Sequence, residues 1–420
     1  GDFTLDVNGD ITLDAGDGIF TFSDGGTVRA KFDTGTRLFQ GNSEGSFNTI
    51  FGYNAGLNIA SGSDKNTFFG HQVSQAAMDG ACDHNTGIGY HALYVMTTGD
   101  YNTIVGSEAG EAITTGSSNV ATGYAALNAT DSGGHNIAIG QYALKTNVDG
   151  DENVAVGNYA LYTYEAESDG EGDNTAVGHN AGYYISTGEG NTYIGHKAGY
   201  GASGAVSTGD NNTGMGKDAG LLLQGAAHSN TLIGSSAGNT TTTGVENTIL
   251  GYNCEAQDAT ATNQIVIGNN VTGTADNAIH IGNDTSHIRC DFNADQTWDA
   301  SSDRRQKKDI IASDIGLDFI NDLKPCKYRY KSPSEFPQEW QAYNAEDTSP
   351  MGGSDRYYYG FIAQEVKESI DKHNIQDYGA WNASEDGRQR VSREQFVVSL
   401  VKAVQELSAQ VEELKSKLGE

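Results

Sequence analysis

The stretch that decides the fold is residues 102–110, NTIVGSEAG. It is one copy of an internal repeat, Asn-Thr-x-hydrophobic-Gly-x-x-Ala-Gly/Leu. Such self-similarity is the sequence signature of an array of stacked structural units. Clear copies occupy residues 48–56, 102–110, 136–144, 153–161, 174–182, 191–199 and 230–238. Weaker copies occupy residues 66–74, 85–93, 119–127, 212–220 and 247–255, and decayed versions surround Gly268 and Gly282.

The central glycines of these copies fall mostly 17 residues apart, with a few steps of 18, 19 or 21 and a last step of 14. The longer periods carry their extra residues in Gly/Ser/Asp-rich stretches, such as 167–173 and 201–209. Insertions of this composition belong in surface loops. The period therefore marks one regular array over residues 47–283.

Each copy predicts a short strand followed by a glycine that turns the chain. A strand of three or four residues cannot bury a core alone, but stacked copies cover one another. The glycine suits a corner that needs positive φ or close backbone approach. The leading Asn suits a turn or a stacked side-chain ladder. The sequence predicts a mainly β stalk: a β-solenoid, a β-roll or an intertwined triple β-helix, with the choice open.

Residues 1–46 follow another pattern, because FTLDV, DITLDA and IFTFS alternate apolar and polar residues between NGD, GDG and DGG turns. These segments predict short strands with hairpin-like connections, as in a β-prism or triple-stranded shaft. The chain begins with Gly rather than Met, which indicates the start of a fragment.

Charge and glycine divide the chain at about residue 301. Residues 1–301 carry a net charge of −26 and 48 of the 55 glycines, whereas residues 302–420 carry a net charge of −4. The total of −30 argues against binding of nucleic acid or anionic lipid through a basic surface. The four cysteines form no CxxC pair, and no apolar run is long enough to insert in a membrane. We expect no metal and no cofactor.

The C-terminal part predicts small mixed elements. Residues 315–323 read as a short helix before Pro325, residues 326–331 as a strand, and residues 359–370 as a strand or turn leading into an amphipathic helix. Residues 393–418 predict a long helix whose apolar residues step 3-4-3-4-3-4, the pattern of a coiled-coil seam. The Val-rich a and Leu-rich d positions taken alone favour a dimer.

Four ordered segments resemble the peptidase S74 family, the endosialidase-type intramolecular chaperones of phage tail fibres and tailspikes. They are SDRRQKKDI at 302–310, LDFINDLKPCKYRYK at 317–331, YGFIAQEV at 359–366 and REQFVVSLVKAVQEL at 393–407. The resemblance covers roughly residues 300–418. It implies a homotrimer, a small α+β chaperone domain and one self-cleavage by a Ser-Lys dyad.

The resemblance places the nucleophile at Ser302 and the general base at Lys307, with Lys308 as the rival base. Lys can take a serine proton when burial or neighbouring cations lower its pKa, so Arg304 and Arg305, with Asp303, are candidate supporting residues. The cut is expected at a peptide bond of Ser302, preferably 301–302. Because five residues is no same-face helical spacing, the dyad needs a turn or closure across a trimer interface.

The predicted organisation is a β shaft (1–46), a repeat stalk (47–283), a connector (284–301) and a self-cleaving chaperone (302–420) that ends in the coiled coil 393–418. The predicted function is a virion tail fibre or tailspike, assembled in the host cytoplasm, that contacts a host cell-surface glycan or protein receptor. A polysaccharide depolymerase and a trimeric adhesin-like surface protein remain alternatives. Repeat asparagines as sugar or cation ligands, and the tyrosines and histidines after the repeat glycine as a glycan platform, are secondary to turn formation and packing.

Overall fold

A computed structural model describes residues 20–24, 27–32, 36–37, 47–78, 82–166, 170–292, 298–300, 304–338, 340, 343–350, 356–384 and 387–419. The chain forms two compact units, residues 1–301 and residues 302–420. The division falls where charge and glycine content change in the sequence. Each unit is described by itself below.

The first described strands form a hairpin. Strand β1 (Phe20–Asp24) pairs antiparallel with β2 (Thr27–Phe32) across the predicted DGG turn. This confirms the predicted hairpin-like connection after IFTFS, whereas FTLDV and DITLDA lie outside the described residues. A two-residue strand β3 (Thr36–Arg37) then pairs antiparallel with the first strand of the stalk. The β-prism or shaft remains a prediction.

The repeats form a parallel β-solenoid within one chain. Each strand pairs with the next one in sequence, repeat position against repeat position, so the described stalk has fourteen strands and thirteen turns. The open choice is thereby decided against a helix woven from three chains. The strands are β4 (Thr49–Tyr53), β5 (Thr67–Phe69), β6 (Thr86–Ile88), β7 (Thr103–Val105), β8 (Val120–Thr122), β9 (Ile137–Ile139), β10 (Val154–Val156), β11 (Thr175–Val177), β12 (Thr192–Ile194), β13 (Thr213–Met215), β14 (Thr231–Ile233), β15 (Thr248–Tyr252), β16 (Ile265–Asn269) and β17 (Ala278–Asn283).

Each strand places its middle residue in the core and its flanking residues outside, as the two-residue period of a strand requires. Ile104, Ala138 and Leu232 are fully buried examples of the middle position. The Ala of each repeat and the Leu that ends several copies complete the same core, which runs along the whole stalk. A three-residue strand thus stays folded because the strands above and below it cover its single inward side chain.

The central glycine of every copy has positive φ, between 129° and 155°. A side chain there would also collide with the next coil: a Cβ on Gly157 would lie 2.4 Å from the carbonyl oxygen of Gly178. No L-residue adopts this conformation readily, and no side chain fits the contact. The prediction that this position needs both positive φ and close backbone approach is confirmed.

The leading Asn residues form a buried hydrogen-bonded ladder. In the repeat at residue 102, Asn102 Oδ1 accepts the backbone N–H of Asn119 at 3.0 Å, and Asn102 Nδ2 donates to the carbonyl of Gly116 at 2.9 Å. The pattern starts where Asn48 accepts the N–H of Asn66 and ends where Asn247 accepts the N–H of Gln264. Since these side chains are buried and paired within the stalk, they serve the ladder, not a sugar or a cation.

One backbone feature was not predicted. The last repeat position is left-handed whether it holds Gly or Leu, and Leu93, Leu127, Leu144 and Leu161 have φ between 49° and 55°. Left-handed backbone costs a bulky L-residue about 1 kcal/mol or more. All four leucines are fully buried, so burial of the side chain, about 1.5–3 kcal/mol, offsets that cost.

Antiparallel strands close both described ends of the parallel ladder. At the start, β3 covers β4; at the end, β18 (Ser286–Asp291) pairs with β17, and β19 (Trp298–Ala300) pairs with β18. Both of these strands lie within the predicted connector, residues 284–301. The backbone of β17 therefore meets a strand of its own chain along its whole length, and at the start β3 pairs with Gly52 and Tyr53 of β4.

The C-terminal unit contains the predicted mixed elements. Its helices are α1 (Leu317–Asp322), α2 (Ala363–Lys372) and α3 (Phe396–Leu418), and short 3-10 turns lie at Arg304–Gln306, Pro333–Glu335 and Arg393–Gln395. Strand β20 (Cys326–Tyr328) pairs antiparallel with β21 (Tyr358–Gly360), as does β22 (Trp381–Ala383) with β23 (Gln389–Val391). A small core packs these elements around Phe319, Val366, Ile370, Ala380 and Phe396.

Candidate functional site

The predicted dyad lies at the start of the C-terminal unit. Ser302 and Asp303 fall outside the described residues. The description resumes with the 3-10 turn Arg304–Gln306, and the backbone N–H of Lys307 donates to the carbonyl of Arg304 at 3.2 Å. A turn therefore exists in the five-residue interval where the spacing of Ser302 and Lys307 requires one.

The cations around the predicted site lie at the surface of the single chain. Arg304, Arg305, Lys307 and Lys308 are all exposed. This single chain does not bury the Lys307 ammonium, although burial is one way to make a lysine a proton acceptor. Its neighbours in sequence include three further cations, Arg304, Arg305 and Lys308.

An apolar pair beside the dyad was missed by sequence reasoning. Ile310 and Ile311 are 53% and 88% exposed, although they follow Lys308 and Asp309 directly. The signal for it was the pair of adjacent isoleucines within a charged segment. Such a pair is costly to leave in water and forms an apolar surface next to the predicted dyad.

The long helix α3 has one face in the core and another face uncovered. Phe396, Ser399 and Ala403 are buried against the C-terminal unit, where the Tyr378 hydroxyl lies 2.9 Å from Ser399 Oγ. The residues of the predicted seam remain 42–77% exposed: Val397, Leu400, Val404, Leu407, Val411, Leu414 and Leu418. The helix thus presents the predicted coiled-coil seam, which has no partner among the described residues of its own chain.

The inner face of α3 is tied to α1 by one side chain. Glu406 Oε2 accepts the backbone N–H of Leu317 at 2.8 Å, at the N-terminus of α1, and Glu406 also pairs with Lys402 at 3.2 Å. Gly316, the residue before α1, offers no side chain to cap it. The hydrogen bond from Leu317 and the Lys402 cation lower the pKa of the Glu406 carboxyl. This contact fixes the angle at which α3 leaves the unit.

The aromatic and histidine rings after the repeat glycine pack mainly on one another. Tyr53, His71 and Tyr90 stack in succession, with ring centroids 5.1 and 5.4 Å apart. Further along, the Lys145 ammonium lies 4.9 Å from the centre of the Tyr142 ring. Because neighbouring rings and cations cover these faces, the arrangement favours packing over the glycan platform. Among the described residues, no group of three His, Cys, Asp or Glu side chains is placed to hold a metal ion.

Within the described part of the chain, no helix has the length and apolar character needed to cross a membrane. Searches of curated proteins and of solved structures found no match to this chain. Residues 302–375 match the family model Peptidase_S74, described as chaperone of endosialidase. The match begins at the first residue of the C-terminal unit. A β-solenoid followed by this S74 segment fits an endosialidase- or tailspike-type protein.

Proposed function

We propose that this chain is a homotrimeric phage tail-fibre or tailspike subunit whose C-terminal unit directs trimer folding and then releases itself by cutting at Ser302. The observation that carries the proposal is a coincidence of three boundaries. The S74 match, the C-terminal compact unit and the Ser-Lys motif all begin at residue 302. A module that removes itself is expected to begin at its own cleavage site.

The proposed cleavage is an N-to-O acyl shift followed by hydrolysis. Ser302 Oγ attacks the carbonyl carbon of Ser301 while Lys307 accepts the hydroxyl proton. The bond from the Ser301 carbonyl carbon to the Ser302 nitrogen breaks, and the proton passes to the released amine. Water then hydrolyses the ester, which leaves a carboxylate on Ser301 and restores the Ser302 hydroxyl. Each chain undergoes one turnover, since the nucleophile departs with the released fragment.

Trimer association is expected to complete the site. The dyad cations are exposed in one chain, and Ile310 and Ile311 beside them lack cover. Packing of copies along the α3 seam would bring three such segments together and remove water from them. Exclusion of water favours the neutral lysine that can accept a proton. Cleavage would then follow trimer formation, not precede it.

The C-terminal unit would act as a chaperone by raising local concentration. Three chains joined through α3 hold their stalks together, which lowers the entropic cost of bringing distant segments into contact. Each stalk can then fold coil on coil. Removal of the joining unit leaves a trimer that cannot unfold by the reverse route, a form of kinetic stability. A virion tail fibre that meets a host cell-surface glycan or protein would benefit from that stability.

Denaturing electrophoresis of freshly folded full-length chain tests the cleavage. Wild type should give two fragments, residues 1–301 and residues 302–420. Ser302→Ala and Lys307→Ala should stay whole, while Ser301→Ala, the same change one position earlier, should still cut. An intact wild-type chain after native folding refutes the autoprotease. Normal cutting by Lys307→Ala with none by Lys308→Ala would move the base to Lys308.

A further inference from the structure

One face of the stalk carries two outward columns with no charged side chain. The columns are the outward positions on either side of the buried residue in each strand from β4 to β17, and together they are called the outer face. Its 28 positions hold only Thr, Val, Ile, Leu, Phe and Met. Seven of them are apolar and 37–53% exposed: Phe51, Phe69, Ile88, Ile137, Ile139, Met215 and Ile233.

The absence of charge on this face contrasts with the rest of its unit. Residues 1–301 contain 34 acidic and 8 basic residues, yet none of them occupies the outer face. Two copies of so acidic a stalk repel each other over most of their surface. On the outer face they can approach without stripping water from any charge. Large uncharged apolar surfaces on soluble proteins mark interaction sites.

The size of the outer face suits a protein interface. Fourteen parallel strands about 4.8 Å apart make it about 60 Å long, and three residues a strand make it about 10 Å wide. The flat area is then on the order of 600 Å², close to the roughly 800 Å² per partner of a standard interface. Rows of β-branched residues pack well against another sheet about 10 Å away.

We propose that the outer face is where the stalks of neighbouring copies pack, parallel and in register. The proposal rests on the homotrimer proposed above and adds to it the face by which the stalks meet. The partner is another copy because only an identical stalk offers an equally long, straight and uncharged row. A glycan would need several kinds of hydrogen-bonding group, whereas the outer face offers only Thr hydroxyls, nine of the ten in one column, and no amide or charged side chain.

Parallel packing makes a positional prediction. In parallel copies, residue 88 faces residue 88 and residue 233 faces residue 233. In antiparallel copies whose stalks overlap about their midpoints, residue 233 of one copy would lie beside the opposite end of the other stalk. Cysteine introduced at Ile88 or at Ile233 should therefore join copies only if they run parallel. The native thiols of Cys82, Cys254 and Cys290 are buried, and Cys326→Ser removes the partly exposed one.

The experiment is cross-linking of full-length chain with a short bismaleimide. Ile88→Cys and Ile233→Cys should each give a band at twice the mass of the stalk fragment on a denaturing gel, because one accessible thiol per chain can join two copies. Thr240→Cys, exposed in the same coil as Ile233 but away from the outer face, is the control and should give background cross-linking. Cross-linking at Thr240→Cys equal to that at Ile233→Cys would overturn the proposal.

Light scattering of the wild type separates the two proposals. A trimer that cuts itself but does not cross-link at Ile88→Cys or Ile233→Cys overturns the outer face alone. A trimer that cross-links there but stays whole overturns the autoprotease alone. A wild-type monomer overturns the homotrimer and the outer-face contact with it. A second variant is Ile139→Lys, on the outer face, and it should lower the melting temperature of the protein. Its far-UV spectrum should stay unchanged, because the Lys side chain points outward from a folded coil.

Discussion

Replacing Asn119 by alanine should destabilise the stalk strongly through two buried groups. Asn119 Oδ1 accepts the backbone N–H of Asn136 at 3.0 Å, and Asn119 Nδ2 donates to the carbonyl of Gly133 at 2.9 Å. All three residues are buried. Alanine removes both partners at once, and the coil is too closely packed for water to replace them.

The expected loss follows from the number of groups left without a partner. A buried donor or acceptor without its hydrogen bond costs about 1–3 kcal/mol, so two groups cost about 2–6 kcal/mol. Every 1.4 kcal/mol is about tenfold in an opening equilibrium, so the amides of this coil should exchange at least tenfold faster. The wild-type ladder is expected to protect them as one cooperative unit.

The matched control is Asn158→Ala on the stalk surface. Asn158 is exposed, and its Oδ1 accepts the N–H of Gln141 at 3.0 Å. Water can replace that contact, so the loss should be about 0.5 kcal/mol or less. Urea denaturation followed by far-UV circular dichroism gives the stability, and hydrogen exchange of the Asn136 amide gives the local effect. Equal urea midpoints for the two variants, with the Asn136 amide still protected, would refute the ladder argument.

Three further changes address other contacts. Gly157→Ala should lower the free energy of unfolding by at least about 2 kcal/mol, since Gly157 has a φ of 136° and a Cβ there would collide with backbone. The control is Gly204→Ala, whose Cβ meets no atom within 4 Å and which should lower it less in the same urea titration. Burial lowers the pKa of His280 from 6.5 to about 4. Wild type should therefore lose stability as the pH falls from about 6.5 to about 4. In thermal melts over this pH range, the melting temperature of His280→Gln should depend less on pH than that of wild type. Glu406→Gln should weaken the hydrogen bond to the N-terminus of α1 and speed hydrogen exchange of the first amides of α1. The control is Glu413→Gln, which changes an exposed partner of Lys417. Equal exchange of these amides in both variants would contradict the capping role of Glu406.

The stalk was largely readable from the sequence because its constraints are local and repeated. Each central Gly marks a corner where backbone meets backbone, and each leading Asn marks a ladder position. The left-handed leucines were not predictable, because Leu normally avoids that conformation and only its burial explains it. The choice between one chain and three woven chains was also open, since the same repeat suits both.

The repeat pattern also did not predict how large and small side chains compensate one another in the core of the stalk. Tyr193 occupies a fully buried strand position that holds Ala, Gly, Val, Ile, Leu or Phe in the other strands from β4 to β16. Its ring fits because Gly199 and Gly214 leave space: a Cβ on either would lie 2.3 or 2.9 Å from the ring. Such compensation depends on three-dimensional neighbours in different coils.

The candidate site was predictable only as far as its motif. The resemblance supplied Ser302 and Lys307, and their spacing called for either a turn or closure across a trimer interface; a 3-10 turn lies between them at Arg304–Gln306. The contact between Glu406 and the N-terminus of α1 spans 89 residues, and no local pattern signals it. The exposed pair Ile310 and Ile311 was visible in the sequence but has meaning only once its lack of cover is known.

Antiparallel strands lie at both described ends of the ladder, so the number of coils between them sets the length of the stalk. Between β4 and β17 each junction repeats the same Gly-to-Gly contact, and the junctions from β4 to β15 also repeat the Asn-to-Asn contact. A coil inserted or deleted between any two of them leaves both ends intact and changes the reach by about 4.8 Å. The length of the stalk can thus change in fixed increments when single repeats are duplicated or lost, with the strands at both ends unchanged.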